Sequence, residues 1–440
     1  MNLDLLKRAV SGEAQEAAAS AVGDLLGEFA CFVLKPDLRV SAGIHPPVLP
    51  LEAGSTGAFF VWNQKELGSP LKEVIQPAFF LPLCWKATSK DSRWRLPAGL
   101  EQVAQNARDA LARECKPDDD RKKVINSFGL DLADVLGEAD LSGFSFMVDS
   151  AWAPLTAGLA IAVYGGKPRS DVFATGAWNA SFPGVRQVDG IRAKVEAAIS
   201  LAPGPVFFVP RANLGEALVA SGEQAEIADF PVAERSASVS LTRYLRALAA
   251  PPRKADGASL ADRCAYANLD FIASDQTMRG DYYRRELLVD LAEDLAVKSG
   301  AEFKIRRLAL GLSKNWDLDA FLVRALKPSE ARFLSSPETT GVEPDVRRSL
   351  QDLRNTSFAP PVELSAHNAD ECCDSMTDWL QQDADGAAVD ITAGRTDMSA
   401  VLLVAARRSR TRILYLRHET RGPVPLYGTG NMISLDWALK

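Results

Sequence analysis

The sequence predicts a multidomain protein of α/β and α+β class that ends in a doubly wound parallel sheet. Two observations lead there. From about residue 303, strand-like and helix-like stretches alternate strictly as IRRLAL, DLDAFLVRAL, ARFLSS, PDVRRSLQDLR, PVELSA, ADECCDSMTDWLQQ, AAVDIT, MSAVLLVAARR and RILYLR. Five strands separated by four helices make a parallel sheet with helices on its faces the expected result. Upstream, strand and helix signals mix without that alternation, and a chain of 440 residues exceeds what one core holds.

The elements follow in order. In segment 1–140, ACFVL, GAFFVW and AFFLPLCW read as buried strands, and residues 97–115 carry helical periodicity. Segment 141–230 holds the strand FSFMVD, a buried helix starting in PLTAGLAIAVYGG, the strand DVFATG, the helix IRAKVEAAIS and the strand PVFFVP. Segment 231–300 is polar and helical, with a linker at AAPPRKADGAS and a helix YYRRELLVDLAEDLAVKSG that a glycine closes. Segment 301–440 is the alternating part. Sheets of that kind bind ligands in loops beyond the carboxyl ends of their strands, here GLSKNWD, SSPETTG and TAGRTDMS.

Composition narrows the function classes. A net charge of −7 argues against broad nucleic-acid binding, so no DNA partner is expected. No apolar run reaches about 18 residues, and the amphipathic N-terminus carries acids throughout, so neither a spanning helix nor a secretory signal is read. Six cysteines without a C-x-x-C pair fit a reducing cytoplasm and no metal site. The three histidines, His45, His367 and His418, lie near no nucleophile motif. Nucleophilic catalysis here would draw its base from lysine.

In VDITAGRTDMSAVLLVAARR a glycine-containing loop joins a buried strand to a helix and gathers Thr392, Gly394, Arg395, Thr396 and Ser399. Helix-start amides and an arginine favour an anion, so the loop reads as a phosphate or nucleotide site; turn and cap chemistry is the plainer alternative. The string resembles the motif of CARF domains, CRISPR-associated Rossmann-like sensors, roughly a strand ending in D-x-T-G-G-T-K-x-M-S. Asp390, Thr392, Gly394, Met398 and Ser399 stand in register. LALGLSKNWD is similar to the family's first strand and ligand loop, and ARFLSSPET to its second strand. The resemblance covers about 303–440. It implies a cyclic oligoadenylate, tetra- or hexaadenylate, bound across a two-fold homodimer. The residues it implies for binding are Gly311, Ser313, Asn315, Ser336, Thr392, Gly394, Arg395, Thr396, Met398 and Ser399. The family's Gly-Thr-Lys reads Gly394-Arg395-Thr396, which brings the positive charge one position earlier.

In the central segment Thr156 stands at a predicted helix start, and Lys194 falls at the border of the apolar face formed by Ile191, Val195, Ala198 and Ala202. A lysine half sunk in an apolar site loses hydration and can serve as a base toward a hydroxyl. The plainer alternatives are a threonine cap and a lysine whose stem lies on apolar surface with its charge in water. The stretch LTAGLAIAV, ATGAWN, VDGIRAKVEAA and VFFVPRAN resembles the Lon protease domain in order and spacing. The resemblance puts Thr156 at the catalytic serine and Lys194 at the catalytic lysine, with Gly176, Gly190, Pro210 and Asn213 at structural positions. Three departures stand out. Threonine replaces serine. Asp189 replaces the first motif glycine, and a carboxylate there would raise the lysine's pKa. Trp152 and Trp178 narrow the cleft. Ser150 is a second candidate nucleophile, out of register with the motif. With no P-loop in the chain, such a peptidase would be independent of ATP.

Together the two resemblances imply a cytoplasmic ancillary effector of type III CRISPR defence. It would be a Ser/Thr-Lys peptidase without a cofactor, switched on by cyclic oligoadenylate, dimeric through its sensor and able to assemble further on activation. It would cleave a specific partner protein. Two alternatives stand beside it: an inactive Lon-like scaffold whose partner binding the ring controls, and a ring nuclease or regulator acting through the C-terminal domain alone.

Overall fold

Pro251 and Pro252 divide the backbone into two units, Met1–Pro251 and Pro252–Lys440, within the stretch read as a linker. Proline has no amide donor and a fixed φ, so consecutive prolines extend neither a helix nor a sheet. The structure, a computed structural model, describes residues 3–45, 48–49, 51–63, 65–87, 95–115, 120–144, 146–163, 166–179, 182–231, 236–299, 304–421 and 424–435. The end of PLTAGLAIAVYGG at 164–165 and the predicted opening of the last segment at 301–303 lie outside the described residues.

In the first unit, Ser55–Val61, Ala78–Ala87 and Phe128–Leu132 form an antiparallel sheet in that order, so GAFFVW and AFFLPLCW are strands as read. Val172–Ala174, Val206–Val209 and Glu226–Asp229 form a parallel sheet. Phe59 joins the two: its ring meets Phe173 at 5.4 Å and Phe207 at 5.5 Å. Segments 1–140 and 141–230 thus share one core. Helix Trp152–Ala162 lies inside it with every residue but Ala160 buried, as a helix apolar on all sides requires. A Cβ on Gly158 would stand 2.4 Å from Thr56 Oγ1, so only glycine lets that strand residue approach.

Three expectations change here. ACFVL is not a strand: Ala30–Val33 is a short helix, and only Leu34 is extended, in a single bridge to Ile75. A short apolar run buried on every side carries no period that separates strand from helix. FSFMVD is not a strand in its described residues. Phe144 and Phe146 stack at 5.8 Å and pack on Trp62, so aromatic burial rather than a ladder holds that segment. Thr156 is not at a helix start. The helix begins at Trp152 after a 3-10 turn Asp149–Ala151, which puts Thr156 in its second turn.

In the second unit a mixed sheet runs in the order Ser357–Phe358, Glu330–Ser335, Arg307–Gly311, Ala387–Asp390, Arg412–Arg417, Asn431–Ser434, with Val362–Glu363 also paired to Glu330–Ser335. All pairings are parallel except the last. Helices Leu288–Ser299 and Trp316–Leu326 contribute to one core cluster, and Ala369–Gln381 and Thr396–Ser409 to a second. This is the doubly wound arrangement expected, with two adjustments. PDVRRSLQDLR is helical only to Ser349, and an antiparallel edge strand near the C-terminus escaped the reading. The helices of 252–299 belong to this second unit.

Candidate functional site

The strand order of the second unit reverses between Arg307–Gly311 and Ala387–Asp390, because the chain first adds strands on one side and then returns to the other. In open α/β sheets ligands collect at that switch point. The two loops leaving these strands touch there. A Cβ on Gly311 would lie 3.0 Å from Ala393 O, and one on Gly394 would lie 3.0 Å from Gly311 Cα. Gly394 also has φ 89°, a left-handed value that favours glycine. Met398 is wholly buried beneath the pair and serves as packing.

Buried carboxylates shape both loops. Asp390 accepts from Thr392 N at 2.8 Å and from Thr392 Oγ1 at 3.2 Å, while that same hydroxyl oxygen receives Leu416 N at 2.7 Å. Burial pushes the Asp390 carboxyl up to about 7, against the pull of those hydrogen bonds. Asp319, equally buried, accepts from Ser313 N at 2.9 Å, and its Oδ1 has no partner. Burial first, then the neighbouring Asp390 and Asp317, hold its carboxyl well above the usual range.

Above them an exposed charge network links three loops. Lys314 reaches Glu338 at 3.0 Å, Arg395 reaches Glu338 at 3.7 Å, and Arg395 reaches Asp397 at 3.0 Å. Lys314, and after it Arg395, keep the Glu338 carboxyl below the usual range. Sequence reasoning singled out Arg395 but missed Lys314 and Glu338. Both lie in loops it named, and only the meeting of the loops gives them a role. Asn315 and Thr396 are exposed at the starts of their helices, and Ser313 and Ser399 are half-buried. Ser336 is buried and spends its hydroxyl on Thr339 at 3.2 Å. A cavity of about 640 Å³ opens beside Lys314, Asn315 and Thr392, with Arg279, His418 and Tyr427 on its other walls.

In the first unit, Lys194 is 3% exposed, so its ammonium does not reach water along an apolar face. Its Nζ donates to Thr175 Oγ1 at 3.3 Å, and Thr175 Oγ1 donates to Ser150 O at 3.4 Å. Desolvation lowers the lysine to about 8; Asp189 opposes this and loses, because that carboxylate is itself exposed. The landmarks around the lysine are structural. Asn213 accepts from Val188 N and donates to Val188 O, each at 3.0 Å, which pins the chain entering the lysine helix. A Cβ on Gly190 would stand 2.7 Å from Val61 Cγ2, and one on Gly176 would stand 2.2 Å from Val185 Cγ1. Thr156 is wholly buried and donates to Trp152 O at 2.7 Å, one helical turn back, so it neither caps the helix nor hydrogen-bonds Lys194. The amides of Ala151, Trp152 and Ala153 are taken by Val148, Asp149 and Gly176 carbonyls. Trp152 and Trp178 stack at 4.6 Å.

Among the described residues no cluster of three metal-ligating side chains occurs, and no helix is long and apolar enough to cross a membrane. No family model matches the chain, and no curated protein does. Among solved structures, one that it matches is Can2 from Sulfobacillus thermosulfidooxidans in complex with cyclic tetra-adenylate. The two are 14% identical with a TM-score of 0.23, over 29% of this chain and 34% of that one. A likeness of that extent decides neither the ligand nor the activity of this chain.

Proposed function

We propose that this chain is a cyclic-oligoadenylate sensor joined to an effector, of the kind used in type III CRISPR defence. The second unit binds the ring as part of a homodimer, and the first is a Lon-like peptidase module acting on a partner protein. The observation that carries the sensor half is the contact of Gly311 with Gly394 at the switch point, beneath the Lys314–Glu338–Arg395 network. A ring phosphate would displace the Glu338 carboxylate from the two cations, exchanging one anion for another. For the effector half, the supporting observation is a buried lysine whose pKa falls to about 8 amid the Lon-like landmarks, with Thr156 at the motif's nucleophile position.

Only a ligand that binds the active state better than the resting one can switch the module. The sensor reading is tested by melting the full chain with cyclic tetra- and hexaadenylate. A ring at about 100 times its Kd stabilises by about 2.7 kcal/mol, and Arg395→Ala should cut that affinity about tenfold or more. No shift with either ring would end the sensor reading. A second reading, a ring-controlled scaffold without peptidase activity, is favoured by the Thr156 hydroxyl, which is buried and committed to the Trp152 carbonyl. Ring-dependent partner binding with no partner ever cut would decide for it.

A further inference from the structure

Three hydroxyls, those of Thr156, Thr175 and Ser150, differ in what they are already doing. Thr156 Oγ1 is spent on its own helix, and Thr175 Oγ1 is held between Lys194 Nζ and the Ser150 carbonyl. Ser150 is 6% exposed, and its Oγ has no hydrogen-bond partner. An idle buried hydroxyl forgoes the hydrogen bonds that water would give it, and folded proteins retain few of them. This one lies in the 3-10 turn that opens helix Trp152–Ala162. It belongs to the residue whose carbonyl is linked through Thr175 to the lysine. Two residues on, Trp152 Nε1 is a second buried polar atom without a partner. An unused hydroxyl and an unused N–H donor thus stand two residues apart at one helix start, and the serine's own carbonyl is linked through Thr175 to a lysine without a carboxylate hydrogen bond. They are the three parts that acyl transfer needs: nucleophile, oxyanion donor and base.

We propose that Ser150, rather than Thr156, is the nucleophile of this site, with Lys194 as its base, Thr175 positioning the lysine and the Trp152 indole N–H facing the oxyanion. This rests on the peptidase reading above. The neutral Lys194 amine takes the Ser150 Oγ proton as the oxygen bonds to the peptide carbonyl carbon. The C–N bond breaks, and the amine leaves with the proton from Lys194. Water then gives a proton back through Lys194 and cleaves the serine ester, which restores the hydroxyl. The helix start has moved relative to the motif. Because the helix begins at Trp152, the position opening it is taken by a residue six before Thr156.

The test treats the full chain, with cyclic tetraadenylate present and absent, with a fluorophosphonate reagent and locates the adduct by fragment-ion mass spectrometry. The same samples are assayed for cleavage of β-casein. The expected result is an adduct on Ser150, forming faster as pH rises through about 8, the value to which burial lowers Lys194. Ser150→Ala should lose both adduct and cleavage, and Lys194→Met should slow adduct formation by about 100-fold or more. An adduct on Thr156 overturns the assignment and leaves the peptidase reading standing. Cleavage that survives Ser150→Ala also overturns it. No adduct and no cleavage under any condition overturns both.

Discussion

Lys194 shows how the burial of one charged residue works against stability. Its folded pKa is about 8, while the unfolded chain keeps the ordinary value near 10.5. Between those values the unfolded chain holds the proton and the folded chain does not, so stability rises with pH across that window. As pH falls through about 8, that contribution is lost, and at pH 7 the burial of charge costs about 3 kcal/mol. Lys194→Met should therefore stabilise the first unit by about 1–3 kcal/mol at pH 7 in urea denaturation. The gain should shrink as pH climbs from 8 toward 10.5. An equal or lower midpoint at pH 7 would mean that the lysine is a structural anchor. The sequence placed Lys194 at the edge of an apolar face, which was enough to suspect it. It could not weigh Asp189 against burial, because that balance depends on how the carboxylate is exposed. Nor could it tell that Thr156 is spent on a carbonyl while Ser150 is idle.

At the scale of elements, the two loops at the switch point depend on backbones approaching where side chains cannot. Gly311 and Gly394 come from strands adjacent in the sheet but far apart in sequence. Gly394→Ala adds a Cβ at a positive φ, 3.0 Å from Gly311 Cα and 3.2 Å from Met398 Sδ. The expected outcome is a loss of about 1–3 kcal/mol in the second unit and ring affinity lower by about tenfold or more, with far-UV circular dichroism unchanged. Undiminished ring binding by this variant, measured calorimetrically, would remove the loop contact from the sensor reading. The alternation of strands and helices made both loops legible, since each glycine stands at or just past the end of a strand and before the helix that follows. The charge network above them was not legible. Lys314, Glu338 and Arg395 are separated by long stretches of chain and meet only because three strands end side by side.

At the scale of the whole molecule, each unit has its own sheets and core, and their boundary falls in an exposed proline-containing stretch. Units of about 190 to 250 residues are large enough to fold alone. A specific protease site inserted at Gly257–Ala258 should therefore yield two fragments that each keep a cooperative thermal transition. Calorimetry should find cyclic oligoadenylate binding on the C-terminal one. A C-terminal fragment that unfolds on cutting would show that the first unit is needed for its stability.

Periodicity, turn chemistry and composition determined the mixed α/β class of the chain and its alternating C-terminal sheet, because these are local properties of neighbouring residues. The starts of buried helices, the shared core of the first 251 residues and the state of each hydroxyl were decided only in three dimensions. A buried apolar run looks alike as strand or helix, and a polar atom's partner is set by whatever packs against it.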